Sequence, residues 1–237
     1  MKAIAGCVTC MKEASKILVS SGVPTTVHFF SAEMADNGVV YITCDKGHKT
    51  AGVFLGRKHQ FLFESGCRAL LDDYTNEAVS SFSAALERTY EFFIRVAYRK
   101  LGLSTTLLDT TWKSIKAQSE RQFGAFVILY PIIAGEPFEL PAAIPELRNK
   151  VIHRGYIARV EEVLKYAKDI FSLIRQIMAV LNNKCPTEMW VEINEAAQVQ
   201  KSSVPAEMEW TYVGVTEFDL RVDLTFESWM EELKTQR

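Results

Sequence analysis

The longest apolar repeat in the sequence covers residues 156–181, and it restricts the fold more than any other feature. Its members recur at the i, i+3, i+4 spacing of one helix face: Ile157, Val160, Val163, Leu164, Ala167, Ile170, Phe171, Ile174, Ile177, Met178 and Leu181. Such a helix is stable when its apolar face packs against other helices. Similar spacing predicts helices over residues 61–71, 75–101 and 107–130. We therefore expect a helical domain over residues 57–185.

Both ends of the chain carry shorter patterns that predict strands. Residues 25–30, 39–43 and 50–55 predict three strands, and Asp36-Asn37-Gly38 is a hairpin turn between the first two. Residues 189–193, 207–215 and 218–226 predict a small antiparallel sheet that is closed by a short helix around Trp229. The predicted fold class is α+β, mainly α, in three segments: residues 1–56, residues 57–185, and a β-rich appendage over residues 186–237.

The first segment contains four candidate metal ligands. Cys7 and Cys10 form a Cys-x-x-Cys pair, and Cys44 and His48 form a Cys-x-x-x-His pair beyond the predicted hairpin turn. Thiolate and imidazole ligands suit tetrahedral Zn²⁺, and four protein ligands without an open position indicate a structural site. The segment resembles a zinc ribbon. His28 is an alternative fourth ligand, and buried thiols are the alternative for the first pair.

Composition limits the compartment and the partners. The chain has 237 residues, a formal net charge of −2 and five cysteines, an odd number. We find no secretory signal and no apolar run of membrane-spanning length, so we expect a cytoplasmic protein that binds metal rather than forming disulfides and has no membrane partner. Because the net charge is slightly negative, any binding of RNA would require a local basic patch.

A second group of polar side chains follows Pro145. A residue that precedes a proline is biased away from helical geometry, so we predict a helix that begins at Pro145 itself. Arg148, Asn149 and His153 follow within about two turns. A guanidinium, an amide and an imidazole are together suited to binding a phosphate and transferring a proton. The alternative is an ordinary solvated helix face.

The sequence R-N-K-V-I-H of residues 148–153 resembles the R-x(4–6)-H signature of the HEPN superfamily, in which a polar residue follows the arginine. The helical context of residues 78–183 is also similar to the all-α HEPN domain. The resemblance implies a HEPN-like helical bundle and a metal-independent endoribonuclease, usually dimeric and often a toxin or an antiviral effector with an antitoxin or other regulatory partner. Many HEPN domains are inactive. The alternative interpretation is therefore a non-catalytic adaptor, which binds nucleic acid or nucleotides through this domain and the zinc-ribbon-like segment.

In the enzyme interpretation the 2′-hydroxyl of RNA is the nucleophile, and the cleavage step uses no cofactor. Arg148 would hold phosphate oxygens, His153 would transfer protons, and Asn149 would orient the imidazole ring. Lys150 and Arg154 are candidate contacts to the phosphate backbone, or plain solvated charges.

Three other side chains are candidates for a supporting role. Glu87 and Glu91 are four residues apart on one predicted helix face, where they could orient the motif or form surface charge pairs. Tyr156 could line the site or belong to the core. Arg148 and His153 point about 140° apart on an ideal helix, so two copies of the helix across a twofold axis would assemble one site better than a single copy. The sequence therefore predicts a homodimer.

Overall fold

The computed structural model describes residues 2–22, 29–213 and 223–235. Within these ranges the chain forms nine helices and five strands, which confirms the predicted α+β class with a helical majority. The chain folds into two compact units: residues 1–56 with 193–216, and residues 57–192 with 217–237. None of the helices in the described ranges is long and apolar enough to cross a membrane.

The first unit contains one complete helix and two small sheets. Their bounds are β1 (Lys2–Gly6), α1 (Val8–Ser21), β2 (Phe29–Glu33), β3 (Val39–Thr43), β4 (Lys49–Phe54) and β5 (Glu209–Val213). β1 and β2 pair antiparallel in one sheet. In the other sheet β4 is central, antiparallel to β3 and parallel to β5. Thus a strand from late in the chain completes a sheet that begins near the N-terminus.

Turn chemistry explains the connection between β2 and β3. Asn37 Oδ1 accepts a hydrogen bond of 3.1 Å from the Val39 amide, and Gly38 has a φ of 78°, which favours glycine. A turn therefore forms at residues 36–38 as predicted, but it does not join two strands of one sheet, because β2 pairs with β1 and β3 pairs with β4. The part of the first predicted strand that covers residues 25–28 lies outside the described residues.

The second unit is helical. The helices that lie wholly within it are α2 (Lys58–Leu71), α3 (Thr75–Lys100), α4 (Thr105–Ile115), α5 (Ser119–Ala134), α6 (Ala143–Arg154), α7 (Val160–Lys184) and α9 (Phe226–Thr235). The unit is built around α3, which packs against α2, α5, α6 and α7. Rings fill its core: Phe63 of α2 lies 5.0 Å from Phe82 of α3 and 6.4 Å from Phe226 of α9, measured between ring centroids. The long amphipathic patterns thus become the core of this unit.

Residues 107–130 were expected to form a single helix, and this is wrong. α4 ends at Ile115, and α5 begins at Ser119 after an extended residue, Gln118. Pro131, which directly follows the predicted end of that helix, lies inside α5, which continues to Ala134 and is capped by Gly135 with a φ of 86°. The adjacent Tyr130 is fully buried and stacks on Phe93 at 5.4 Å, and this packing outweighs the hydrogen bond that the proline removes.

The predicted C-terminal appendage does not form a unit of its own. Residues 189–193, expected as a strand, lie within helix α8 (Pro186–Lys201), which begins with proline as its first residue. The strand expected over residues 207–215 exists as β5, but it pairs with β4 of the first unit. Residues 214–222 lie outside the described residues. The short helix predicted around Trp229 is confirmed as α9, which begins at Phe226 and belongs to the second unit.

Candidate functional site

Helix α6 carries the motif as a separate short helix. It begins at Ala143, so Pro145 lies in its first turn, where a missing amide proton is tolerated. It ends at Gly155, which has a φ of 64°, and the Tyr156 amide donates back to the Lys150 carbonyl at 3.1 Å. The expectation that one helix covers residues 156–181 is therefore wrong at its start, since α7 begins at Val160.

Arg148 is the centre of the hydrogen bonds on α6. Its Nη2 donates to Glu87 Oε1 of α3 at 3.1 Å and to Ser119 Oγ of α5 at 3.0 Å, and its Nη1 donates to Asn149 Oδ1 at 3.2 Å. The Arg148 and Glu87 side chains are only 20% and 23% exposed. The structure thus joins the motif arginine to one of the two candidate glutamates.

His153 lies at the exposed C-terminal end of α6, where a cation is favourable to the helix dipole. We expected Asn149 to orient its ring, but Asn149 Oδ1 accepts from Arg148 instead. No hydrogen bond to the His153 side chain is found within the described part of the chain. His153 does lie close enough to Glu120, on the first turn of α5, to affect the pKa of that carboxyl.

A cavity of about 170 Å³ opens beside Arg148. Its polar lining comes from α3, α5 and α6: Ser83, Glu87, Ser119, Glu120, Arg148 and Asn149. Its apolar wall includes Leu86, Tyr90, Phe123, Leu140, Ile144 and Tyr166. A concave, mostly apolar surface with a few converging polar groups is the usual form of a small-ligand site.

Two pKa shifts describe the electrostatics of this cavity. The pKa of Glu120 is lowered, first by its own backbone amide at the start of α5 and then by the Ser119 hydroxyl and by electrostatic interaction with Arg148 and His153. Burial raises the pKa of Tyr166 to about 12, although the Ser83 hydroxyl and Arg148 act in the opposite direction. The phenol therefore stays protonated at neutral pH, while Glu120 stays ionised.

The other predicted site residues lie outside this group. Glu91 forms an ion pair with Arg88 on its own helix. Lys150 is paired with Glu146 at 2.7 Å, one turn earlier on α6. Arg154 is exposed at the helix end.

Tyr156 is half-buried in the loop between α6 and α7, and its hydroxyl donates to Glu162 Oε2 at 2.8 Å. Asn76 of α3 fixes this loop, donating to the Tyr156 carbonyl and accepting from the Ala158 amide. The arrangement gives Tyr156 a role in anchoring the loop.

The four predicted metal ligands come together in the first unit. Their donor atoms all lie within 4.8 Å of one another. The Sγ atoms of Cys10 and Cys44 are 3.8 Å apart, and His48 Nδ1 is 3.4 Å from Cys10 Sγ and 3.9 Å from Cys7 Sγ. Tetrahedral Zn²⁺ with Zn–S bonds of about 2.3 Å separates two sulfur ligands by about 3.8 Å, and a sulfur and a nitrogen ligand by about 3.6 Å. The residues therefore fit a tetrahedral metal ion.

Local structure differs from a ribbon at the first ligand pair. Cys7 precedes α1 and Cys10 lies in its first turn, whereas a zinc ribbon would place the pair in a turn between strands. The i, i+3 spacing of Cys-x-x-Cys also suits one face of a helix, and the positive helix end favours thiolates. Cys44 and His48 lie in the turn between β3 and β4, as expected.

Surrounding groups shift the pKa values of two of these thiols in opposite directions. Burial raises the pKa of the Cys10 thiol to about 11, and the neighbouring Cys7 and Cys44 thiols add to the effect. Burial also acts to raise the pKa of Cys44, but hydrogen bonds from the Lys46 and His48 backbone amides, together with those from the Cys7 and Cys10 thiols, lower it overall.

No protein-family model, curated protein or solved structure matches the chain. The HEPN resemblance therefore depends on residues 148–153 and on the helices around them.

Sequence reasoning identified Glu87 but missed the other cavity residues that α3 and α5 supply. Ser83, Glu87 and Tyr90 are spaced i, i+4, i+7, so two polar residues interrupt the apolar stripe of a core helix. Those two polar residues within the apolar stripe were the sequence signal that could have located the α3 side of the cavity. Ser119 could not be identified, because a break in the helix expected over residues 107–130 was not recognised.

Proposed function

We propose that the chain is a metal-independent endoribonuclease of HEPN type. The observation that supports it best is the hydrogen-bonded group of Arg148, Asn149, Glu87 and Ser119 at the edge of a cavity, with His153 on the same helix. This group offers a guanidinium for a phosphate and an imidazole for proton transfer, which is the inventory that RNA transesterification needs.

In this proposal the RNA 2′-hydroxyl attacks the adjacent phosphorus. The 2′-O–P bond forms, the P–O5′ bond breaks, and the products are a 2′,3′-cyclic phosphate and a free 5′-hydroxyl. One His153 accepts the proton of the 2′-hydroxyl, and a second imidazole donates a proton to the leaving 5′-oxygen. Arg148 stabilises the charge on the phosphorus oxygens, while Glu87 and Ser119 hold the guanidinium in place.

The second imidazole is the reason to propose a homodimer. Arg148 and His153 point about 140° apart on α6, so a single helix presents them on different faces. Two α6 helices related by a twofold axis bring an arginine of one protomer beside a histidine of its partner. Lys150 and Arg154 then flank the shared cleft as contacts to the RNA backbone.

The experiment is incubation of purified protein with total RNA in magnesium-free buffer containing EDTA, after circular dichroism has shown that the fold persists. Wild type should release fragments with 2′,3′-cyclic phosphate ends, and Arg148→Ala and His153→Ala should each lose the activity. Arg159→Ala removes an arginine from an exposed loop position and is the matched control. Equal cleavage by His153→Ala and wild type would refute the assignment.

A non-catalytic adaptor is the second candidate, and the contacts of Arg148 favour it. Both terminal nitrogens of the guanidinium already donate to protein oxygens, so an incoming phosphate has to compete with Glu87. In an adaptor these contacts would stabilise the fold, and the first unit would recognise the nucleic acid or nucleotide partner. Retained RNA binding by a His153→Ala variant, together with a wild type that cleaves no RNA, would favour this candidate.

We also propose that Cys7, Cys10, Cys44 and His48 bind one structural Zn²⁺. The support is the 3.8 Å separation of the Cys10 and Cys44 sulfurs, which is the edge of a tetrahedral zinc site and much longer than a disulfide bond. When bound, the ion would cross-link α1 to the β3–β4 turn. Elemental analysis should find one zinc per chain in wild type and none in Cys44→Ser, with Cys67→Ser as the control for a buried cysteine elsewhere.

The biological setting belongs to the same proposal. A HEPN-type ribonuclease would act in the cytoplasm as a toxin or antiphage effector, restrained by an antitoxin or another regulatory partner. Growth arrest on expression of wild type but not of His153→Ala would support this setting.

A further inference from the structure

The cavity beside Arg148 contains a buried polar group that nothing in the described part of the chain satisfies. Tyr90 lines the cavity and is 3% exposed, yet its hydroxyl has no hydrogen-bond partner among the described residues. Buried hydroxyls are normally paired, because an unpaired one has lost its water without replacement. An orphaned hydroxyl in a cavity wall is a natural partner for a ligand.

The position of the ring indicates where this hydroxyl faces. The ring of Tyr90 packs on Phe126 at 4.4 Å and on Phe123 at 5.4 Å, between centroids. The groups that act on its phenol are Tyr166 and Glu87, and both of these line the cavity. The ring is therefore embedded among aromatic residues, and its phenol lies near two residues of the cavity wall, Tyr166 and Glu87.

A second donor in the same wall is also unpaired. The Nε of Arg148 is buried and has no hydrogen-bond partner in the described ranges, although both terminal nitrogens of the same guanidinium are paired. The residues of the cavity wall thus carry two buried donors without a partner among the described residues, Tyr90 OH and Arg148 Nε. The wall also presents acceptors, the carboxylates of Glu87 and Glu120.

Size and charge identify the class of ligand. The cavity measures about 170 Å³, and an apolar cavity of about 150 Å³ in another protein binds benzene, so a single planar ring fits. Two carboxylates and one guanidinium line it, so its charge does not favour an anion. Aromatic and aliphatic walls with donors and acceptors at one side suit a neutral heterocycle that carries both acceptors and N–H donors.

We propose that this cavity binds one unstacked nucleobase of the RNA strand, next to the phosphate that Arg148 contacts. The inference rests on the proposed function and adds base selection to it. The base would face Phe123 and Tyr166, accept hydrogen bonds from the orphaned donors, and donate to a carboxylate. Cleavage then occurs beside one preferred base rather than at every phosphate.

Binding tests this inference without requiring cleavage. The probes are fluorescein-labelled 2′-O-methyl octanucleotides, which lack the nucleophile: homopolymers of A, C and U, and one octamer with abasic sites. Fluorescence anisotropy on the full chain should show preference for one base and weak binding of the abasic octamer. Tyr90→Phe should weaken binding of the preferred octamer about tenfold, the loss of one hydrogen bond.

Two variants control the result. Tyr74→Phe makes the same change at an exposed tyrosine and should bind like wild type. Leu140→Phe adds volume to the cavity wall. It should weaken binding of the preferred octamer and leave binding of the abasic octamer unchanged. Thermal unfolding of each variant establishes that it is folded.

The outcomes separate this inference from the nuclease proposal. Base preference that disappears in Tyr90→Phe supports the pocket even if wild type cleaves no RNA. Cleavage that occurs equally beside every base, with identical octamer affinities for wild type and Tyr90→Phe, overturns the pocket and leaves the nuclease standing. A free nucleoside that binds at least as tightly as its octamer would assign the cavity to a small-molecule ligand and overturn the RNA assignment.

Discussion

The ion pair between Arg148 and Glu87 should couple the two side chains far more strongly than an ordinary surface pair. Their atoms are 3.1 Å apart, and the side chains are only 20% and 23% exposed. Exposed pairs contribute about 0.2–1 kcal/mol, whereas a hydrogen bond to a charged group contributes about 1.5–3 kcal/mol. Because desolvation offsets part of the attraction, we expect a coupling free energy of about 1–2 kcal/mol.

A double-mutant cycle measures this coupling. Glu87→Gln and Arg148→Met keep most of the side-chain volume, and urea unfolding gives the free energy of unfolding of wild type, both single variants and the double variant. The double variant should lose less stability than the two single variants together, since each single change leaves a charged partner behind. The slope of the free energy of unfolding against urea concentration should be the same for all four proteins.

Lys150 and Glu146 provide the matched control on the same helix. Their atoms are 2.7 Å apart, closer than in the Arg148 pair, but their side chains are 44% and 63% exposed. Their coupling should be smaller and should fall in high salt, whereas the Arg148 coupling should persist. A coupling for Arg148 and Glu87 no larger than the control would refute the argument that burial fixes this guanidinium.

Three further predictions concern the same unit. Arg148→Met should raise the pKa of Glu120 in a carboxyl NMR titration; since that pKa is lowered in the folded state, the stability it contributes is present above its unfolded pKa and is lost as pH falls. Tyr90→Phe should leave the free energy of unfolding in urea unchanged or raise it by about 1 kcal/mol, because an unpaired hydroxyl is removed. Gly155→Ala should lower Tm through a cost of about 1 kcal/mol at positive φ, while Gly124→Ala, with open space on a helix, should not.

Periodicity located the long helices well and their ends poorly. α3 was predicted almost exactly in length, because a 26-residue helix repeats its apolar face many times. The start of α7 was misplaced because Ile157 continues the apolar spacing across the loop, although its side chain is 78% exposed. Gly155 is the residue that separates the helices, and its left-handed conformation follows from local backbone geometry that a pattern of apolar residues does not contain.

Short apolar runs were ambiguous for a different reason. The mostly apolar run at residues 189–193 was predicted to be a strand. A run of five residues fits a buried strand and a turn of helix equally well, and in the structure it is part of α8. β5 was recognised as a strand, but its pairing with β4 was not predicted, because this parallel pairing joins distant parts of the chain.

The candidate site was partly predictable for similar reasons. The ligand spacing of Cys7, Cys10, Cys44 and His48 sufficed to predict their cluster, and the spacing of Glu87 placed it on the correct helix. Tyr90 could not be singled out, since a tyrosine in an apolar stripe is typical of a core. That its hydroxyl has no hydrogen-bond partner within the described ranges becomes apparent only when α3, α5 and α6 are packed together.

Each unit combines a segment from early in the sequence with a segment from late in the sequence, and this has a consequence for synthesis of the protein. β4 gains its parallel neighbour only after residue 213 has been translated, and Phe63 meets Phe226 only after α9 has followed. A nascent chain that stops at residue 185 therefore lacks an edge of the first unit's sheet and part of the second unit's core. Neither unit can finish folding until nearly the whole chain has left the ribosome. Translation products that end before α9 should consequently be targets for proteolysis, and the folded form should arise only from chains that extend through α9.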